Sequence, residues 1–140
     1  MPNAIPQNRL DALIAAYGED SGGTGAVPSP AQWQALAALD PAKPVTLINY
    51  FKLAPQGNEA MMNYAAVSMP TLEKLGGRFL LTAPFAGTLM GEAEDWDMIA
   101  IGTYPEARLV FALFEDPAYR EAYAHRKAAC LRQKVLIAAG

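Results

Sequence analysis

The chain has little of what usually betrays a function. It holds one cysteine, Cys130, and one histidine, His125. A single cysteine excludes an internal disulfide and fits a reducing, cytoplasmic compartment. A single histidine, with no acidic partners at ligand spacing, leaves no metal site to expect. Charged residues are only 18% of the 140, with a net charge of −3 and no basic stripe, so nucleic acid is a poor partner. No apolar run approaches the ~20 residues that span a bilayer. The N-terminus shows no basic region followed by an apolar core, so no signal peptide is expected. The glycines at 22, 23 and 25 follow a helical pattern rather than a strand and lack dinucleotide spacing, so they read as linker. Glu92, Glu94, Asp95 and Asp97 lack the alternation of a calcium loop and read as a solvated acidic turn.

What is present is apolar bulk, 52% of the chain, enough for one domain with a real core. The main fold turns on residues 72–81, Leu-Glu-Lys-Leu-Gly-Gly-Arg-Phe-Leu-Leu. Helix formers end at Leu75, Lys74 complements the helix dipole, and Gly76 and Gly77 permit the positive φ of a helix stop. Strand-like residues follow from Arg78.

Around this corner the chain reads in order. Leu10, Leu13, Ile14 and Tyr17 give residues 5–18 a helical face. Ser29 and Pro30 open a second short helix carrying Trp33 and Leu36. Pro41 and Pro44 close a helical extension and linker, residues 1–43, ahead of the main domain, residues 44–140. Residues 45–53 form a first strand, with Val45, Leu47 and Phe51 on one face, Ile48 and Tyr50 on the other, and Asn49 a polar exception. A helix over 59–75 buries Met62, Ala65, Ala66, Met69 and Leu72, kinked by Pro70. After the Arg78 strand and a loop, residues 96–103 form a third strand. Helical segments follow Pro105 and Pro117, the second with Tyr119, Ala122, Tyr123 and Arg126 at helical spacing. A last strand includes residues 135–137. The order β-α-β-β-α-β is the ferredoxin-like arrangement of the α+β class. Two helical segments cover only one face of such a sheet, so the other calls for a second copy or, less readily, for the extension.

The residues Val45-Thr46-Leu47-Ile48-Asn49-Tyr50, Asn63-Tyr64, Met69-Pro70-Thr71-Leu72, Gly76-Gly77-Arg78 and Trp96-Asp97 form one ordered pattern. It continues in Thr103-Tyr104-Pro105-Glu106, Asp116-Pro117-Ala118-Tyr119-Arg120 and His125-Arg126. The pattern resembles domain of unknown function 1330, within the dimeric α+β barrel superfamily, over residues 45–137. The resemblance implies a homodimer with sheets face to face. It brings no established activity; more distant members of the superfamily include cofactor-free monooxygenases, haem-degrading enzymes and muconolactone-isomerase-like proteins.

In this architecture a pocket opens between sheet and helices. Its candidate lining is Asn49, Tyr64, Arg78, Trp96, Asp97, His125 and Arg126. His125 is the default acid or base near neutral pH, or else a surface histidine near a helix end. Arg78 and Arg126 suit a carboxylate, or else pair internally with Asp97 or Glu73. Tyr64 offers a hydroxyl, or is simply core. Asn49, polar on an apolar face, needs a partner, structural or ligand. Two functions compete. One is an enzyme needing no cofactor that acts on a small organic acid or carbonyl compound, with Arg78 and His125 catalytic. The other is a non-catalytic dimeric module that binds a metabolite. Convergence of Asn49, Arg78 and His125 on one cavity favours the enzyme; scatter favours the module.

Overall fold

The structure, a computed structural model, describes residues 4–19 and 23–140. The expected linker over 19–29 is therefore seen only in part; Asp20, Ser21 and Gly22 lie outside the described residues, as do Met1, Pro2 and Asn3.

The elements are α1 (Gln7–Tyr17), α2 (Pro30–Ala37), β1 (Val45–Leu53), α3 (Asn58–Lys74), β2 (Arg78–Pro84), β3 (Met98–Tyr104), α4 (Arg108–Glu115), α5 (Pro117–Ala129) and β4 (Cys130–Ala139). The sheet order is β2-β3-β1-β4, all pairs antiparallel. This is the α+β, ferredoxin-like topology.

Local chemistry explains the boundaries. Ser29 and Gln32 form a reciprocal capping box at α2, with Pro30 in its first turn. Asp116 accepts from the Tyr119 N–H and so starts α5 directly after α4. At the corner, Gly76 takes φ +87°, and the N–H groups of Gly76 and Gly77 bond the carbonyls of Glu73 at 2.9 Å and Leu72 at 3.0 Å. That paired pattern is the glycine helix stop expected from the sequence. Gly77 is needed for a different reason: a Cβ there would sit 2.8 Å from Leu72 Cδ2 and 3.0 Å from the Thr103 carbonyl oxygen.

Two expectations are corrected. Helix α3 buries Leu72 as expected, but with Met61, Tyr64 and Ser68 rather than Met62, Ala66 and Met69. Met62 is 72% exposed. Strand β4 is longer than expected, because Arg132, Gln133 and Lys134 pair with β1 despite their polarity.

Register separates the two faces of the sheet. Val45, Leu47, Asn49 and Phe51 stand opposite Tyr104, Gly102, Ala100 and Met98. This face turns toward the helices, and Val45 and Phe51 are buried. Ile48 and Tyr50 stand opposite Ile101 and Ile99, with Leu81 and Leu136 beside them in register. Leu81 and Leu136 are 46% and 41% exposed, so this face is apolar and open.

Among the described residues, the extension packs on the helical side and not on the open face. Leu10, Leu13, Tyr17, Val27, Trp33 and Leu36 enter the same core as Phe111, Phe114 and Tyr123 on the helical side. Tyr17 meets Phe114 and Tyr123 edge-on at 5.3 and 5.0 Å, and its hydroxyl donates to the Phe114 carbonyl. Trp33 packs edge-on to Phe114 at 5.1 Å. Its Nε1 is a buried donor with no acceptor among the described residues. The backbone N–H of Gln133 reaches out from β4 to the Thr24 carbonyl.

Candidate functional site

Between the helical face of the sheet and the helices lies a cavity of about 560 Å³. Its walls come from β1, α3, α4, α5, β4 and the segment containing Val27, Trp33 and Leu36. The size suits a small organic ligand.

One cluster is polar. Arg126 projects inward from α5 because Tyr119, Ala122, Tyr123 and Arg126 share a buried stripe. It is 7% exposed. Its Nε donates to Gln133 Oε1 at 2.5 Å, Nη1 to the Tyr64 hydroxyl at 3.0 Å, and Nη2 to Asn49 Oδ1 at 3.2 Å. The guanidinium also lies over the rings of Phe51, Tyr64 and Tyr123 at 4.9, 5.4 and 5.6 Å. Tyr64 and Tyr119 share a hydroxyl–hydroxyl bond of 2.6 Å. Asn49 is held in place by its own Nδ2, which donates to the Ala100 carbonyl at 3.0 Å.

All these partners of Arg126 are neutral. Among the described residues no carboxylate forms a salt bridge with it. A guanidinium carries five N–H donors. Three are used, which leaves two, one on each terminal nitrogen. Burial works against the charged form, yet the surrounding Tyr64, Tyr123 and Tyr119 oxygens outweigh it and raise the Arg126 pKa. Burial likewise pushes the Tyr119 and Tyr104 hydroxyls well above the usual phenol range. The site thus holds a permanent cation, neutral phenols and N–H donors beyond the three used.

The structure brings together three of the seven sequence-derived candidates, Asn49, Tyr64 and Arg126. The other four do not line the cavity. His125 neighbours Arg126 in sequence but stands about 100° around α5 and is exposed. Arg78 is exposed at the start of the edge strand β2, opposite Thr103 on the open side. Trp96 lies in the loop before β3, stacked near Tyr50 at 5.7 Å and beneath Arg132 at 4.2 Å. Asp97 accepts the Leu53 N–H at 2.8 Å and pairs with Lys52, a structural duty at the end of β1. His125 and Arg78 therefore stand outside this cavity. The alternative for Arg126, an ion pair with Asp97 or Glu73, is not formed.

Sequence reasoning missed Tyr119, Tyr104 and Gln133. Tyr119 was findable, because a buried stripe of Tyr, Ala, Tyr and Arg is too polar to be plain core. Gln133 was hidden because only residues 135–137 carry a strand signal in the sequence. Among the described residues no group of three or more histidine, cysteine, aspartate or glutamate side chains is placed to hold a metal ion. No described helix is long and apolar enough to cross a membrane.

Topology and cavity together define a ferredoxin-like α+β protein with a ligand-sized, cation-bearing chamber. The chain belongs to the family described as Domain of unknown function (DUF1330), whose model matches residues 50–140. Among solved structures it is similar to methylated RPA0582 protein, with 29% identity and TM-score 0.75, over 84% of this chain and 96% of that one. The RPA0582 protein of unknown function from Rhodopseudomonas palustris is similar at 28% identity and TM-score 0.72, over 81% and 95%. A dimeric protein of unknown function and ferredoxin-like fold from Bacteroides fragilis shows 14% identity and TM-score 0.47, over 69% and 96%. No curated protein matches the chain.

Proposed function

We propose that the chain is a homodimeric protein that takes a small, partly apolar organic acid or carbonyl compound into the cavity between sheet and helices. The carrying observation is Arg126: a buried cation with neutral partners and two unspent donors. Unpaired buried charge is costly, so its presence is best explained by an anion that arrives with the ligand. Asn49 and Tyr64 orient the guanidinium and are ligand-binding residues by position.

Metabolite binding is the reading best supported. Arg78 and His125 do not converge with Asn49, and no histidine or carboxylate lines the cavity among the described residues. Catalysis without a cofactor is favoured by one feature only: Arg126 is a fixed donor, held by the Tyr64 hydroxyl that accepts from it, of the kind that stabilises an enolate. Homodimerisation is supported by the apolar open face built around Ile48, Tyr50, Ile99 and Ile101, which the extension leaves bare.

The test is a thermal-shift panel of short carboxylic acids against their neutral amides. Acids raise the melting temperature and amides do not. Equal shifts from both, or none from any acid, overturn the anion-receptor reading.

A further inference from the structure

The cavity lining combines the polar cluster around Arg126 with many apolar side chains, and different parts of the chain supply them. Arg126 belongs to the family-matched region, whereas α2 lies before residue 50 and outside it. The two are separated by a row of rings. Arg126 lies over Tyr64, Tyr64 meets Tyr119 at 5.8 Å, Tyr119 meets Phe114 at 5.3 Å, and Phe114 meets Trp33 at 5.1 Å. Leu36, one turn further along α2, also lines the cavity and is buried. Among the described lining residues the charged ones are Arg126, which is buried, and Lys134, which is half-exposed and paired with Glu94 at 3.0 Å.

We propose that the ligand is an amphipathic monocarboxylate and that α2 sets the length it can have. Its carboxylate takes the two unspent N–H groups of Arg126, one from each terminal nitrogen. Its apolar body lies along the ring row and ends against Leu36. One guanidinium balances one negative charge, which disfavours a phosphate dianion or a dicarboxylate. This inference rests on the organic-acid reading above and adds the ligand's shape and the element that selects it.

Titration calorimetry of the full chain with straight alkanoates from butanoate to dodecanoate tests it. Affinity for the native protein rises by about fourfold per methylene up to a limiting length, then falls. Leu36→Ala moves that limit to longer chains and Leu36→Phe moves it to shorter ones; opposite shifts exclude a general loosening, and either folded variant suffices. Dicarboxylates of the limiting length bind at least tenfold more weakly than the monocarboxylate. If the native protein binds alkanoates but both variants keep its limit, or dicarboxylates bind as well, the α2 selection is wrong while the anion site stands. If no alkanoate binds, the organic-acid reading fails and takes this inference with it.

Discussion

Replacing Arg126 with methionine separates a binding cation from a structural one. Arg126→Met keeps a flexible apolar stem and deletes the guanidinium. Asn49 Oδ1 and Gln133 Oε1 then lose their donor. An orphaned buried acceptor costs about 1–3 kcal/mol, so the loss is about 2–6 kcal/mol for the two. Tyr64 keeps Tyr119 as its partner and adds little. Against this stands the desolvation of a cation with no carboxylate beside it, worth several kcal/mol and relieved by the substitution. The two sides nearly cancel, so stability changes by no more than ~2 kcal/mol. Urea unfolding at fixed protomer concentration measures it, since dimerisation would otherwise shift the midpoint. In the same variant octanoate affinity drops at least tenfold, because each charge-assisted bond is worth about 1.5–3 kcal/mol. A loss of stability above ~4 kcal/mol with octanoate binding intact refutes the reasoning: Arg126 would then be an internal brace.

Other consequences are independent of the ligand. Gly77→Val forces a side chain against Leu72 and the Thr103 carbonyl and lowers stability by at least ~2 kcal/mol; an unchanged urea midpoint would sink the corner as described. Ile48→Asp, in the centre of the open face, yields a 15.0 kDa monomer by analytical ultracentrifugation while the native chain sediments as a dimer; a native monomer refutes face-to-face pairing. Burial pushes the Tyr17 hydroxyl from 10.0 up to about 12. The native state thus holds this proton more tightly, so the associated stability is full below pH 10 and is lost as pH rises toward 12. Tyr17→Phe flattens the alkaline unfolding curve followed by circular dichroism, and an unaltered slope there contradicts the assignment. The Cys130 thiol is pushed by burial up to about 11, so at pH 8 it alkylates with iodoacetamide far more slowly than free cysteine.

Much of the fold was legible because its signals are local. The capped start of α2, the glycine stop after α3 and the re-capped start of α5 each depend on a few adjacent residues and were placed from them. Side-chain alternation also assigned β1 to two faces correctly. Helix α3 was harder, since Met61 and Met62 are adjacent and equally apolar; only the position of Tyr64 and Ser68 against the sheet decides between them. The polar start of β4 was invisible because pairing with β1, a tertiary event, overrides its composition. The site was half legible for a related reason. Periodicity put Arg126 on a buried stripe and alternation made Asn49 an anomaly, but nothing in either segment says that they meet across 77 positions. His125 and Arg78 were chosen for their chemistry, and chemistry without a direction does not find a cavity.

The placement of the extension bears on how the chain acquires its shape during synthesis. Arg9 pairs with Glu115 across 106 positions, and Tyr17 bonds to Phe114 across 97. Val45, at the start of the first strand, lies opposite Ala139 near the end of the last. Early segments of this sequence are thus partners of later ones. A nascent chain stopped short of α4 has no surface on which to fold Leu10, Trp33 or Leu36, and its first strand lacks a neighbour on one side. Such non-local closure slows folding and leaves apolar segments waiting in solution. The α2 residues that line the cavity are therefore also left without their partners until the later segments arrive.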